Sequence, residues 1–117
     1  MRSHGGSAAV QEMGCRALSN LSFKNDSNKA AIVSGGGIEA VVAAMRSHGG
    51  SAAVQEQGCM ALYNLSFNDS NKAAIGSGGG IDAVIAAMRA HGGSATVQAH
   101  GCGALDNLLS GNDADII

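Results

Sequence analysis

The sequence contains no proline and no tryptophan, and only 3% of its 117 residues are aromatic. A sheet sandwich fills its core with β-branched and aromatic side chains. Here Ala, Val, Ile and Leu carry most of a 45% apolar share, and small aliphatics suit closely packed helices. With proline missing, turns fall to the 18 glycines. These cluster at recurring points and so read as connections between short helices rather than as low complexity. Charge is sparse too. Seven Lys and Arg are scattered along a chain of net charge −2. There is no basic stripe of the kind nucleic acid demands, and no nucleic-acid partner is expected. No run approaches the roughly 18 apolar residues of a membrane span, no signal peptide opens the chain, and no membrane partner is expected. The three cysteines fall one unit apart. Equivalent helices of a stack lie roughly 10 Å apart, beyond the ~7 Å Cα separation that a disulfide spans. Free thiols fit an intracellular setting, cytoplasmic or nuclear.

What the chain does have is repetition. Residues 1–23 and 45–67 agree at 20 of 23 positions, differing only at Met13/Gln57, Arg16/Met60 and Ser19/Tyr63. A third copy, around Cys102, changes the same places to His100, Gly103 and Asp106. These positions are i, i+3 and i+6, so on a helix they form one stripe. Asn20, Asn64 and Asn107 stand unchanged beside it. A constant frame with one variable stripe is the pattern of an array that binds through one face. Met1, Met45 and Met88 open equivalent units at spacings of 44 and 43 residues. The extra residue is Lys24, and an insertion there marks a surface loop.

Each full unit predicts three helices. A short first helix spans about 27–33 and 70–75, after the capping side chains Asn25-Asp26-Ser27 and Asn68-Asp69-Ser70. The second spans about 37–47 and 80–90. Its Ile38, Val41, Val42 and Met45 follow the i, i+3, i+4, i+7 spacing of one buried face. Glu39 or Asp82 suits its first turn, and Arg46 or Arg89 its last. Glycines 35–37 and 78–80 reverse the chain between these helices. The third and longest helix spans about 51–66, with equivalents at 7–22 and 94–109. Val54, Gly58, Ala61, Leu62 and Leu65 form its buried stripe. A mid-helix glycine costs about 1 kcal/mol against alanine, so Gly14, Gly58 and Gly101 predict close helix crossings.

Asn71-Lys72-Ala73-Ala74-Ile75, then Gly79-Gly80-Ile81, then Val97-Gln98 with Ala104-Leu105-Asp106-Asn107-Leu108, resembles the punctuation of the armadillo repeat, a unit of about 40–47 residues. The resemblance covers essentially the whole chain as one domain. It divides into a third helix (1–23), full units at 24–67 and 68–110, and the start of another first helix at 111–117. It implies an all-α fold, a right-handed α-solenoid whose third helices line a concave groove. In importin-type members the asparagine of Leu-x-Asn-Leu hydrogen-bonds the backbone of an extended peptide. That role falls on Asn20, Asn64 and Asn107, since a carboxamide both donates and accepts. Those members carry a tryptophan four residues before the asparagine, where this chain has Arg16, Met60 and Gly103. Basic localisation peptides are therefore not the expected ligand. Arg16, Met60, Tyr63, Gln57, His100 and Asp106 complete the expected peptide-binding face, and the expected partner is an extended peptide or a protein.

A second expectation is a self-assembling structural module. About two and a half units fall short of the roughly three, with polar caps, that a stack needs. Neither the Met1–His4 remnant nor apolar Ile116-Ile117 is a cap, so a homo-oligomer, a dimer, would form through the ends. The near identity of 1–23 and 45–67 suits recent duplication and design alike. No enzyme, cofactor or metal is expected. Cys15, Cys59 and Cys102 lie beside the buried stripe as small hydrophobes, without metal-ligand spacing. His4, His48 and His91 precede glycine pairs at helix ends, where an imidazole bonds the last carbonyls. The Ser-Gly-Gly-Gly-Ile segments lack the Gly-Lys-Ser/Thr of a phosphate loop and are turns.

Overall fold

The computed structural model describes residues 7–22 and 25–116. Among them the chain forms seven helices: α1 (Ala8–Ser22), α2 (Asp26–Ser34), α3 (Gly37–Ser47), α4 (Ala52–Leu65), α5 (Asp69–Ser77), α6 (Gly80–Ala90) and α7 (Ala95–Ile116). No strand occurs among the described residues, and the fold is all-α. The expected loop at Lys24, the Met1–His4 remnant and Ile117 lie outside the described residues.

Side-chain caps set where the helices begin. Asn25 and Asn68 accept the amides of Asn28 at 2.9 Å and Asn71 at 2.8 Å, which starts α2 and α5 one residue earlier than expected. Each such cap contributes about 1 kcal/mol. Ser7, Ser51 and Ser94 cap the three long helices by accepting from Val10, Val54 and Val97. Between α2 and α3, and again between α5 and α6, the chain turns through Gly36 at φ 83° and Gly79 at φ 84°. Side chains with a Cβ clash in that left-handed region, so glycine decides both corners. The bend between residues 27–34 and 37–47 is 66°.

The expected buried faces are buried. Ile38, Val41, Val42 and Met45 of α3 join Val54, Gly58, Ala61, Leu62 and Leu65 of α4 in the core. Each fully buried Leu or Ile contributes about 2 kcal/mol. Gly58 marks a close crossing, as expected: a Cβ there would sit 2.6 Å from Cγ and Sδ of Met45. Gly101 repeats this against Met88 at 2.8 Å. Helix α4 packs between α1 and α7, while α3 packs beside α6 and α2 beside α5. Among the described residues no single helix is long and apolar enough to cross a membrane. Residues 27–34 and 37–47 reach that length and composition only as a bent pair, and α3's apolar face is buried in the core.

One expectation is corrected. Residues 111–116 do not begin a separate first helix; they continue α7 through Ile116. In the preceding unit Ser66 ends α4, its hydroxyl donating to the Tyr63 carbonyl at 2.7 Å and its backbone N–H reaching the same oxygen. Leu109 occupies the equivalent place in α7, and the carbonyl equivalent to that of Tyr63, at Asp106, accepts the hydroxyl of Ser110 within the continuing helix.

The glycine corners yield a stability test. Gly36→Ala places a Cβ in the left-handed region and should lower unfolding free energy by about 1–2 kcal/mol, read as a lower urea midpoint. An unchanged midpoint would show that the corner tolerates a side chain.

Candidate functional site

The three long helices carry every sequence-predicted binding residue, and α4 holds its two neighbours through several of them. Asn64 Nδ2 donates across to α1, to Ser19 Oγ at 2.9 Å and to the Ser19 carbonyl at 3.2 Å. Asn107 Nδ2 donates from α7 to Ser66 Oγ at 2.9 Å. Ser66 passes the interaction on to the Tyr63 carbonyl. The invariant asparagines thus serve as lateral ties between helices, their amides directed at whatever hydroxyl the preceding helix offers. Asn20, on α1, is exposed.

The variable stripe takes part in the same lateral contact. Tyr63 lies against α7, its ring 5.6 Å from the His100 ring in an edge-on arrangement. A Cβ on Gly103 would stand 2.6 Å from Tyr63 Cε1, so glycine at 103 makes room for the tyrosine. Phe67 also lies edge-on to that ring, at 5.1 Å. One junction earlier the sizes are reversed. Ser19, at the tyrosine position, is buried, and Met60 holds the place of Gly103.

Exposure follows the order of the helices. Met13, Arg16 and Asn20 are exposed on α1, whereas their counterparts on α4 (Gln57, Met60, Asn64) and α7 (His100, Gly103, Asn107) are half-buried. On the opposite edge Cys15 and Cys59 are fully buried while Cys102 and Asp106 are exposed. Arg16 bonds Glu12 at 2.7 Å within α1. That pair is an exposed i, i+4 contact of small energetic weight.

The cysteine expectation therefore holds at two positions and fails at the third. Burial pushes the Cys15 thiol up to about 11 and the Cys59 thiol up to about 12, which keeps both protonated and inert at neutral pH. Cys102 is exposed; among the described residues no further helix packs on α7 as α4 packs on α1 and α7 on α4.

Several residues that organise this face were not read from the sequence. Gln55 is buried and donates Nε2 to the carbonyls of Met45 at 2.9 Å and His48 at 3.0 Å, closing the C-terminus of α3. Gln98 repeats this on Met88 at 2.9 Å and His91 at 3.1 Å. Their recurrence at one place in every copy was the available signal. The expectation for the histidines needs a change of partner: His91 Nε2 lies 2.8 Å from the Gly49 carbonyl, in the preceding unit rather than its own helix. Ser94 Oγ donates to Glu56 Oε2 at 2.8 Å, another tie between units. Lys29 places its ammonium 5.4 Å from the centre of the Phe67 ring. Asn71 Nδ2 is buried without a partner. Its counterpart Asn28 reaches the Leu21 carbonyl at 2.8 Å, across the connection that contains the additional Lys24.

A cleft of about 360 Å³ lies elsewhere, lined by Met45, Arg46, Gly49, Gln55 and four alanines of α6. None of the predicted binding residues lines it. Among the described residues no group of three or more His, Cys, Asp or Glu could hold a metal ion. No family model, curated protein or solved structure matches the chain.

The Tyr63–Gly103 fit can be tested by a double-mutant cycle. Gly103→Met should destabilise by about 1–3 kcal/mol through overpacking. Tyr63→Ser together with Gly103→Met recreates the Ser19/Met60 combination and should recover at least about 1 kcal/mol of that loss. Additive effects of the two substitutions would show that the positions do not pack as a pair.

Proposed function

We propose that the chain is a non-enzymatic scaffold of the armadillo type, a right-handed α-solenoid in which α1, α4 and α7 line a groove for an extended peptide or a protein segment. The observation that supports it is the placement of different chemistry at matched positions on one frame. Met13 and Arg16 lie on α1, Gln57, Met60 and Tyr63 on α4, and His100 and Asp106 on α7, none of them fully buried. Because Asn64 gives both Nδ2 hydrogens to Ser19 and Asn107 gives one to Ser66, their part in holding a peptide falls mainly to the carboxamide oxygens. Each carboxamide oxygen takes one backbone N–H of the ligand. Selection among ligands falls to the side chains, with Tyr63 and Arg16 of the residue types that dominate interface energetics. Three groove helices span only a short ligand, so affinity is low. A peptide selected from a random library should bind Asn64→Ala/Met60→Ala at least tenfold more weakly in fluorescence anisotropy. Unchanged binding by that variant would remove the groove assignment.

A second reading, self-association through the faces of α1 and α7, is favoured by one specific contrast: Cys102 is exposed where Cys15 and Cys59 are sealed. It carries its own check in the dependence of light scattering on concentration. A strict monomer across the micromolar range would exclude it.

A further inference from the structure

We infer that copies of this chain stack head to tail, α1 of one copy seating on α7 of another, with Arg16 of the incoming chain set against Asp106. The inference rests on the self-association reading and adds its register and its chemistry. Within the chain, α7 meets α4 through Gly103 and His100 against Tyr63, and α4 meets α1 through Asn64 against Ser19. Ser19, Tyr63 and Asp106 occupy one position in the three copies; Arg16, Met60 and Gly103 occupy another; Asn20, Asn64 and Asn107 a third. Advancing that register by one unit brings Arg16 and Asn20 of a second copy onto Asp106.

The chemistry at this third junction is complementary, as it is at the Tyr63–Gly103 junction inside the chain. There a large ring meets glycine. At the shifted junction an acceptor-only carboxylate meets a guanidinium and a carboxamide, both donors. Arg16, Asn20 and Asp106 are all exposed in the single chain. Arg16's contact with Glu12 is a solvent-exposed pair within one helix, which screening keeps weak and which does not prevent re-pairing. Met13, 63% exposed on α1, and Leu109, 53% exposed on α7, lie on the two faces that would meet, as does Cys102.

The alternatives pair like with like. Two α1 faces would oppose Arg16 to Arg16, and two α7 faces Asp106 to Asp106. Head-to-tail contact is also heterologous, so each added copy presents a fresh α7 face, and the product is a filament or a closed ring rather than a two-fold dimer. The joint has no counterpart of the α3–α6 contact that braces units within the chain. Association is therefore weaker than intrachain packing and sensitive to salt.

Sedimentation velocity on the full chain, over a range of concentrations at low and high salt, tests the register. Wild type should associate as concentration rises, and less so at high salt. Arg16→Glu and Asp106→Arg should each shift the onset of association at least tenfold upward. Mixing the two variants in equal amounts should restore it, because each then offers the other a complementary face. The double variant should associate by itself, and circular dichroism checks that each stays helical. If wild type associates but Arg16→Glu associates equally well, or the mixture fails to recover, the Arg16–Asp106 register is wrong while self-association stands. If wild type stays monomeric throughout, self-association itself is excluded.

Discussion

The contact that everything else here depends on is the lateral packing of one long helix on the next. Helices α1 and α4 each have a narrow apolar edge that their own unit does not cover, and the following long helix packs over it. Cys15 under α4 and Cys59 under α7 have no exposed surface, and desolvation alone raises their thiols to about 11 and about 12. Cys102 holds the same place in its copy, but among the described residues no helix packs over it. The shorter helices serve this contact. Met45 and Met88 press onto Gly58 and Gly101, and Gln55 and Gln98 fasten the end of each second helix to the start of the third.

That dependence changes the meaning of the variable stripe. Positions that differ among otherwise matching copies suggest a ligand-reading face, and Gln57, Met60 and His100 remain open enough for that role. Yet Tyr63 and Gly103, both departures from their counterparts, also pack against one another. A side chain at the edge of a helix faces both the solvent and the next helix, and its size and charge are constrained by both. The same duality holds for the asparagines. Asn64 and Asn107 direct their Nδ2 groups sideways to the neighbouring helix, while both side chains stay half-buried rather than sealed.

The all-α class, the helix boundaries and the buried stripes were legible because they are local. Capping asparagines, a 3.6-residue period and triple glycines act within a few residues of themselves, and α3 and α6 begin and end where the spacing placed them. Even the close crossing at Gly58 could be read, since a recurrent mid-helix glycine is hard to explain otherwise. The continuation of α7 was harder to foresee. Leu109 and Ala114 replace the serines found there in the preceding unit, while Asn112 and Asp113 keep their capping chemistry.

Which groups meet across helices could not be read this way. Asn64 and Asn107 are equivalent in sequence, yet one bonds Ser19 and the other Ser66, because the hydroxyl nearest each amide depends on how two helices sit against each other. Cys15, Cys59 and Cys102 are likewise equivalent in sequence, and only the presence or absence of a neighbouring helix separates inert thiols from an open one. The sequence by itself determined the helices, their order and their apolar faces, because those follow from short-range periodicity and capping. Tertiary packing decided the lateral partners and the exposure of each edge, because burial is a property of the neighbour as much as of the residue.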